Sequence, residues 1–340
     1  MPSSKPSSIS RTRDLPPLLF AAVFLLLSTV LSLCLGAAGL SLRQLWAALL
    51  SGPDSSTAAR ILWYARIPRT AACMLSGAGL AVSGAVIQKV LNNSLASPGI
   101  IGINAGAGLA VALCCAAGVF AGWAVSGAAF AGALCATFLV VFTARKSHAS
   151  RTTVVLAGVA VTACLNAVTE TVVTMVPDAA LASRDFRVGG FHAVNQARLL
   201  PAGLLIAVAI ITVCTLANEL DLLSLGDDIA HSLGLRVAAV RNGMLTLAAL
   251  LAGASVSFAG LLGFVGLIVP HIAQRIVGGE SGRLIPFCAL VGGGFVTLCD
   301  LISRIAFVPY ELPTGILLSF LGGPFFLWLL VKRRGEGAHD

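Results

Sequence analysis

An all-α, polytopic membrane bundle of about ten transmembrane helices is what this sequence predicts, on three observations. Of its 340 residues, 57% are hydrophobic and only 11% charged, against about 25% charged in a soluble domain. The mean hydropathy is +0.95. The apolar residues gather into runs close to the ~20 residues that one bilayer crossing needs. A chain of this length could bury a large soluble core, but no such core needs so little charge.

Taken in order, the first 16 residues are polar and basic, with Lys5, Arg11 and Arg13, and read as a disordered cytoplasmic segment. The apolar run over about 17–40 exceeds the roughly 7–15-residue core of a cleaved signal peptide, so it reads as a retained first span. Further spans follow at about 68–91, 98–118, 122–143, 153–175, 199–217, 240–258, 262–277, 284–304 and 312–331, the eighth being short. Together they make a transmembrane domain over about 17–332, with a cytoplasmic tail at about 333–340. Basic residues set the orientation. With both termini inside, the inner side collects 14 of the 22 Lys and Arg, and the outer side keeps Arg43, Arg60, Arg66, Arg69, Arg184, Arg187, Arg198 and Arg304. The net charge of +8 is then a topology signal, and no nucleic-acid partner is needed to explain it.

Small residues recur at four-residue spacing: Gly77, Ala81, Ala85; Gly102, Gly106, Ala110; Gly315, Ser319, Gly323. Such stripes let helix backbones approach closely in lipid and carry no substrate information. Seven of the nine cysteines sit singly in apolar runs, Cys114 and Cys115 are adjacent, and none forms a C-x-x-C pair; they read as small buried thiols. No G-x-x-x-x-G-K-[ST] occurs, so ATP is not bound through a P-loop. His148, His192, His231, His271 and His339 are scattered, which gives no metal site and no cofactor. Nothing marks the chain as an enzyme.

Three features carry function. Arg66-Ile67-Pro68-Arg69 places two arginines at the outer mouth of the second span. At its inner end, Asn93-Ser94-Leu95-Ala96-Ser97-Pro98-Gly99 is a polar, Pro/Gly-broken joint. The loop over about 218–237 reads as two short helices broken at Gly226 and Gly234. Asp227 and Asp228 complement a first-turn dipole there, and Leu225, Ile229 and Leu233 share one face. An interfacial helix is usually basic on its polar face; this one is acidic, which favours docking to a soluble partner. Asp300 and Arg304 are four apart on one helix and should pair. Asn166 and Glu170, in the fifth span, are candidate pathway residues, because a membrane carboxylate is a functional candidate by default. His271, beside Pro270, reads as structural.

These motifs, with Ser83-Gly84-Ala85-Val86-Ile87-Gln88, Leu156-Ala157-Gly158-Val159, Gly263-Phe264-Val265-Gly266-Leu267-Ile268-Val269-Pro270-His271, Leu312-Pro313-Thr314-Gly315 and Gly322-Gly323-Pro324-Phe325-Phe326, resemble the permease subunit of iron-siderophore, haem and cobalamin ABC importers. The likeness spans nearly the whole chain after about residue 20. It implies ten helices per subunit in the cytoplasmic membrane and pairing with a second copy or a paralogue. Two cytoplasmic ATP-binding subunits would dock at Leu225, Gly226, Asp227, Asp228, Ala230, Leu233 and Gly234, and an extracytoplasmic binding protein would deliver the cargo. It also implies that Arg66, Arg69 and Arg304 receive acidic residues of that binding protein, and that Asn93 and Leu95, with Ser150 and Thr152 before the fifth span, form an inner gate. Ser94, where the family has proline, and Arg187-Val188-Gly189-Gly190-Phe191 depart from the pattern. The expected cargo is a ferric siderophore, with haem or cobalamin as the alternative. A proton-coupled carrier using Glu170 or Asp300 is the rival from another class.

Overall fold

The computed structural model describes residues 15–36, 39–146, 151–192 and 194–336. The expectations for the first 14 residues, for residues 337–340 and for Ser150 lie outside them.

The helices are α1 (Leu15–Cys34), α2 (Leu42–Ser51), α3 (Thr57–Arg60), a π-helical turn (Ile61–Arg66) that runs into α4 (Ile67–Leu91), α5 (Ile103–Ala116), α6 (Gly122–Lys146), α7 (Arg151–Met175) and α8 (Pro177–Val188). They continue with α9 (Gln196–Thr215), α10 (Ala217–Ser224), α11 (Asp227–Ser232), α12 (Val237–Ala259), α13 (Val265–Val277), α14 (Ser281–Ile305) and α15 (Thr314–Glu336). The ten expected spans map one to one onto seven long apolar helices and three shorter ones, α5, α13 and α15.

α4 runs through the centre, packed on α14, α12 and α13, with α1 against α14 and α5 against α6 and α7. The glycines explain how closely it packs. A Cβ on Gly84 would lie 1.9 Å from the Gly266 carbonyl oxygen of α13, and one on Gly106 would lie 2.2 Å from the Gly132 carbonyl oxygen of α6. Both are backbone against backbone, the small-residue packing expected where water cannot drive association. α1, α7, α9 and α15 keep large apolar residues exposed on their outer faces, among them Leu26, Leu156, Leu204 and Phe320. Cys135 and Cys164 are also exposed, so the expectation of buried thiols holds for Cys73, Cys115, Cys288 and Cys299 but not for all nine. An apolar thiol is as compatible with lipid as with a protein core.

The second span differs from the expectation. Helical structure begins at Thr57, eleven residues before Pro68, and reaches Leu91 without a break. The wider π-turn ahead of Pro68 accommodates a residue that has no N–H to donate. α2 is an amphipathic helix at the outer end. Ser41 and Gln44 form its capping box, Leu42, Trp46 and Leu50 are exposed, and Leu45 and Ala48 are buried beneath it.

α5 and α13 have 14 and 13 residues. At 1.5 Å per residue each covers about 20 Å, short of the roughly 30 Å hydrocarbon core. Irregular backbone at 92–102 and 260–264 completes the two crossings. Such backbone is tolerated at membrane depth only where protein buries it or where it lines a cavity.

Candidate functional site

At one end of the bundle α4 finishes in a Schellman motif. Asn92 takes the left-handed conformation, φ 47° and ψ 42°. Its N–H donates to the Lys89 carbonyl, and the N–H of Asn93 donates to the Gln88 carbonyl at 3.0 Å. The motif satisfies the helix-end carbonyls and turns the chain sharply. The Asn93 side-chain oxygen then accepts from the Leu95 N–H at 3.0 Å, closing an Asx turn. Asn93 and Leu95 thus share one tight joint. Thr152 is exposed, near the start of α7.

The segment expected to couple lies at the same end. α10 packs on α4, α14 and α12. Asp221 of α10 accepts from Lys89 at 2.7 Å and from the Ser281 hydroxyl and N–H at the start of α14. Gly226, at φ 115° and ψ 155°, separates α10 from α11, in a region open to glycine almost alone. Asp227 turns inward to pair with Arg241 and Ala230 is fully buried. Leu225, Asp228, Ile229, Leu233 and Gly234 are exposed. The two breaks and the outward leucine row are therefore where the sequence put them.

Asp221 also sets a pH dependence. Burial alone would raise its pKa, but the Lys89 ammonium and the Ser281 hydroxyl and N–H outweigh burial and hold the carboxyl below its ordinary value. A group depressed on folding stabilises above its unfolded pKa, about 3.9 for Asp, and that contribution is lost as pH falls through the folded value. Melting of the purified permease in detergent should therefore show an acid limb below about pH 4. Asp221→Asn should melt lower at pH 7 and show a shallower limb. Identical limbs in the two proteins would rule Asp221 out as the source.

At mid-depth the two irregular segments meet. A cavity of about 390 Å³ is lined by Leu80, Leu95, Pro98, Gly99, Gly263, Phe264 and Phe326, among others. Gly99 and Asn104 also line a second cavity of about 430 Å³, whose other walls include Thr162, Asn166, Thr169, Glu170 and Arg187. The side-chain oxygens of Asn104 and Thr162 are buried there without a protein partner. The structure thus brings Asn166 and Glu170 to one polar cavity, with Glu170 ion-paired to Arg187 of α8. His271 packs edge-on against Phe325, ring centroids 5.9 Å apart.

The opposite end holds the arginines. The Arg66 guanidinium donates to the Leu33 and Cys34 carbonyls at 2.6 and 3.0 Å, capping the C-terminus of α1, where a cation complements the helix dipole. Asp300, fully buried, is shared. Arg69 approaches it through Nε and Nη2, the latter at 3.0 Å. Arg304 Nε lies 3.0 Å from its other oxygen, and Thr314 donates at 3.0 Å. Arg304 also donates to Ser32 of α1 at 2.7 Å. Arg69 Nη1 reaches outward to Glu311 at 2.7 Å. The three arginines therefore sit side by side at the outer end, and Asp300 pairs with Arg304 as expected. Their exposure is not as expected: Arg66 is 5% and Arg304 4% accessible, because Arg66 turns onto the end of α1 and Arg304 onto Ser32 and the Asp300 ion pair. Arg69 is the most outward of the three.

The FecCD transport family model matches residues 24–332. The chain belongs to the FecCD transport family. It is a multi-pass permease of the cytoplasmic membrane, of the ABC-importer kind. Among curated relatives of this FecCD permease, the "Vitamin B12 import system permease protein BtuC" of Salmonella paratyphi A (strain ATCC 9150 / SARB42) is 37% identical over 329 residues, 94% of this chain and 96% of the relative. The protein of the same name from Yersinia enterocolitica serotype O:8 is 35% identical over 315 residues, 91% of each chain. A solved structure of a candidate metal-chelate type ABC transporter, in an inward-facing conformation, superposes with TM-score 0.82 at 26% identity, covering 93% of this chain and 98% of the other. PsaBC from Streptococcus pneumoniae, solved in complex with Fab, shares the fold at TM-score 0.54 and 15% identity, over 83% of this chain and 94% of the other.

Four residues of the permease sites escape sequence reasoning: Asp221, Arg187, Glu311 and Thr314. Their partners lie 132, 17, 242 and 14 residues away. For Glu311 the one sequence signal was a charge at the edge of an apolar span, and for Arg187 its place in a segment that departs from the family pattern.

Proposed function

We propose that this permease translocates a bulky metal chelate, driven by two ATP-binding subunits docked on residues 218–237 and supplied by an extracytoplasmic substrate-binding protein. A second permease subunit, a copy or a paralogue, completes the pathway. One observation carries the reading. The outward row of Leu225, Asp228, Ile229 and Leu233 lies at the opposite end of the bundle from the arginine cluster, and cavities lined by broken helices lie between them. ATP binding and hydrolysis belong to the partner subunits, whose movement is passed through α10 to the joint at Asn93 and Leu95. In this reading Arg69, the most outward of the three arginines, meets a carboxylate of the binding protein; its greater exposure supports that choice.

The relatives named as vitamin B12 import permeases support a corrinoid cargo. The solved relative described as metal-chelate type keeps a ferric siderophore as the second reading. Proton coupling draws no support: Glu170 is paired with Arg187 and Asp300 with two arginines, so neither is a lone membrane carboxylate.

The test of coupling is Gly226→Trp. A Cβ at Gly226 meets nothing within 4 Å, so the fault introduced is backbone strain and not a clash in the bundle. Uptake into proteoliposomes should be abolished and copurification with the ATP-binding subunit weakened, with membrane insertion intact. Wild-type uptake and copurification would sink the assignment. Labelled cobalamin and a labelled ferric siderophore, offered to the wild-type complex, decide the cargo.

A further inference from the structure

The Arg69 guanidinium is held on two sides of different character. Its Nε and Nη2 edge clamps Asp300, which is fully buried and also held by Arg304 and Thr314. Its Nη1 meets Glu311, whose side chain is 39% exposed, against 15% for Arg69. Among the described residues Glu311 has no other partner. It lies in the segment between α14 and α15, beside Phe307, Val308 and Tyr310, all well exposed and Tyr310 the most so at 79%. A buried charge pair is expensive to break, whereas a half-exposed pair is weakly held and readily exchanged. An exposed tyrosine and apolar neighbours around one charged group have the make-up of a protein interface, an aromatic anchor beside a polar contact.

We propose that Glu311 is an internal stand-in for the carboxylate of an incoming acidic protein: it occupies the outward face of Arg69 in the undocked permease and is displaced when that protein docks. The proposal rests on the reading of Arg69 as the docking arginine. The exchange keeps the outward Nη1 of Arg69 paired before and after docking, while its other edge stays on Asp300 throughout. It also gives discrimination. A partner must bring a carboxylate able to displace Glu311, whose charge repels every acidic surface, the true partner's included, until the exchange is made. Asp300 cannot play this part, because it is buried and holds Arg304 as well.

The experiment uses the permease complex in nanodiscs and the loaded substrate-binding protein encoded with it. Glu311→Gln keeps the size of the side chain and removes its charge. Association should become several-fold faster at low salt, with a steeper fall as salt is added, and phenylglyoxal modification of Arg69, read by mass spectrometry, should increase. Arg69→Gln should slow association. If Glu311→Gln associates at the wild-type rate or slower while Arg69→Gln is slowed, the stand-in proposal is overturned and the docking reading survives. If neither variant changes association, the docking reading has failed and takes the proposal with it. If Arg69 of the Glu311→Gln protein is protected from phenylglyoxal in anionic-lipid nanodiscs and not in zwitterionic ones, a lipid phosphate is the occupant and the proposal is likewise overturned.

Discussion

Asp300→Ala is expected to yield a permease that inserts but does not hold its outer end together. The carboxylate is fully buried and neutralises two guanidiniums, of which Arg304 is itself 4% exposed. Removing one partner of a buried ion pair typically costs about 3–5 kcal/mol, because the remaining charge is left uncompensated out of water. Here two charges lose the same partner. Asp300→Asn keeps the shape and can still accept from Thr314, but it leaves the same two positive charges, so it should be nearly as damaging. Fluorescence-detected size exclusion and melting in detergent are the measurements. Both variants should melt several degrees lower or fail to run as a single species. Wild-type melting in either would show that the cluster is not the clasp described.

The second large effect is expected at Gly84. A Cβ there would sit 1.9 Å from the Gly266 oxygen and 2.5 Å from its carbonyl carbon and Cα, so no side chain can rotate away to relieve it. Even alanine forces α4 and α13 apart. Overpacking of this kind costs about 1–3 kcal/mol. The shift would also disturb Gln88, which donates to the same Gly266 oxygen at 3.2 Å. Gly84→Ala should accumulate poorly and Gly84→Leu not at all as folded protein. Gly243→Ala is the control, since a Cβ there meets nothing within 4 Å. Equal yields for the Gly84 and Gly243 variants would contradict the packing account.

What the sequence made legible follows the reach of its signals. Hydropathy marked ten spans because lipid demands long apolar runs, and even the weakest, α13, was marked by its apolar run before Gly278. Gly226 and Gly234 marked breaks because few other residues adopt their backbone angles. Asp300 and Arg304 were paired because helical spacing is local. The start of the second span was misread because Pro68 is a common first helical residue, and nothing nearby announces a π-turn before it. α2 was missed although Ser41 and Gln44 carry a capping-box pattern, because ten residues are too few to stand out beside a span. The burial of Arg66 depends on α1 lying alongside, and the Asp300–Arg69 pair on residues 231 apart in the chain. A one-dimensional pattern holds neither.

Ser32, Arg69, Asp300, Arg304 and Thr314 together tie α1, α4, α14 and α15 at one end. Mechanically that end is a pivot. Arg69 is the third of the 25 residues of α4, and the rest of the helix is an arm of about 33 Å at 1.5 Å per residue, with α10 bearing on its tip through Lys89 and Asp221. On an arm of that length a 3 Å push at the tip is a tilt of only about 5°, small enough to leave every intrahelical hydrogen bond intact. On the proposed coupling the bundle would work as a clothes-peg, sprung where the charges are buried and opened by pressure at the far end.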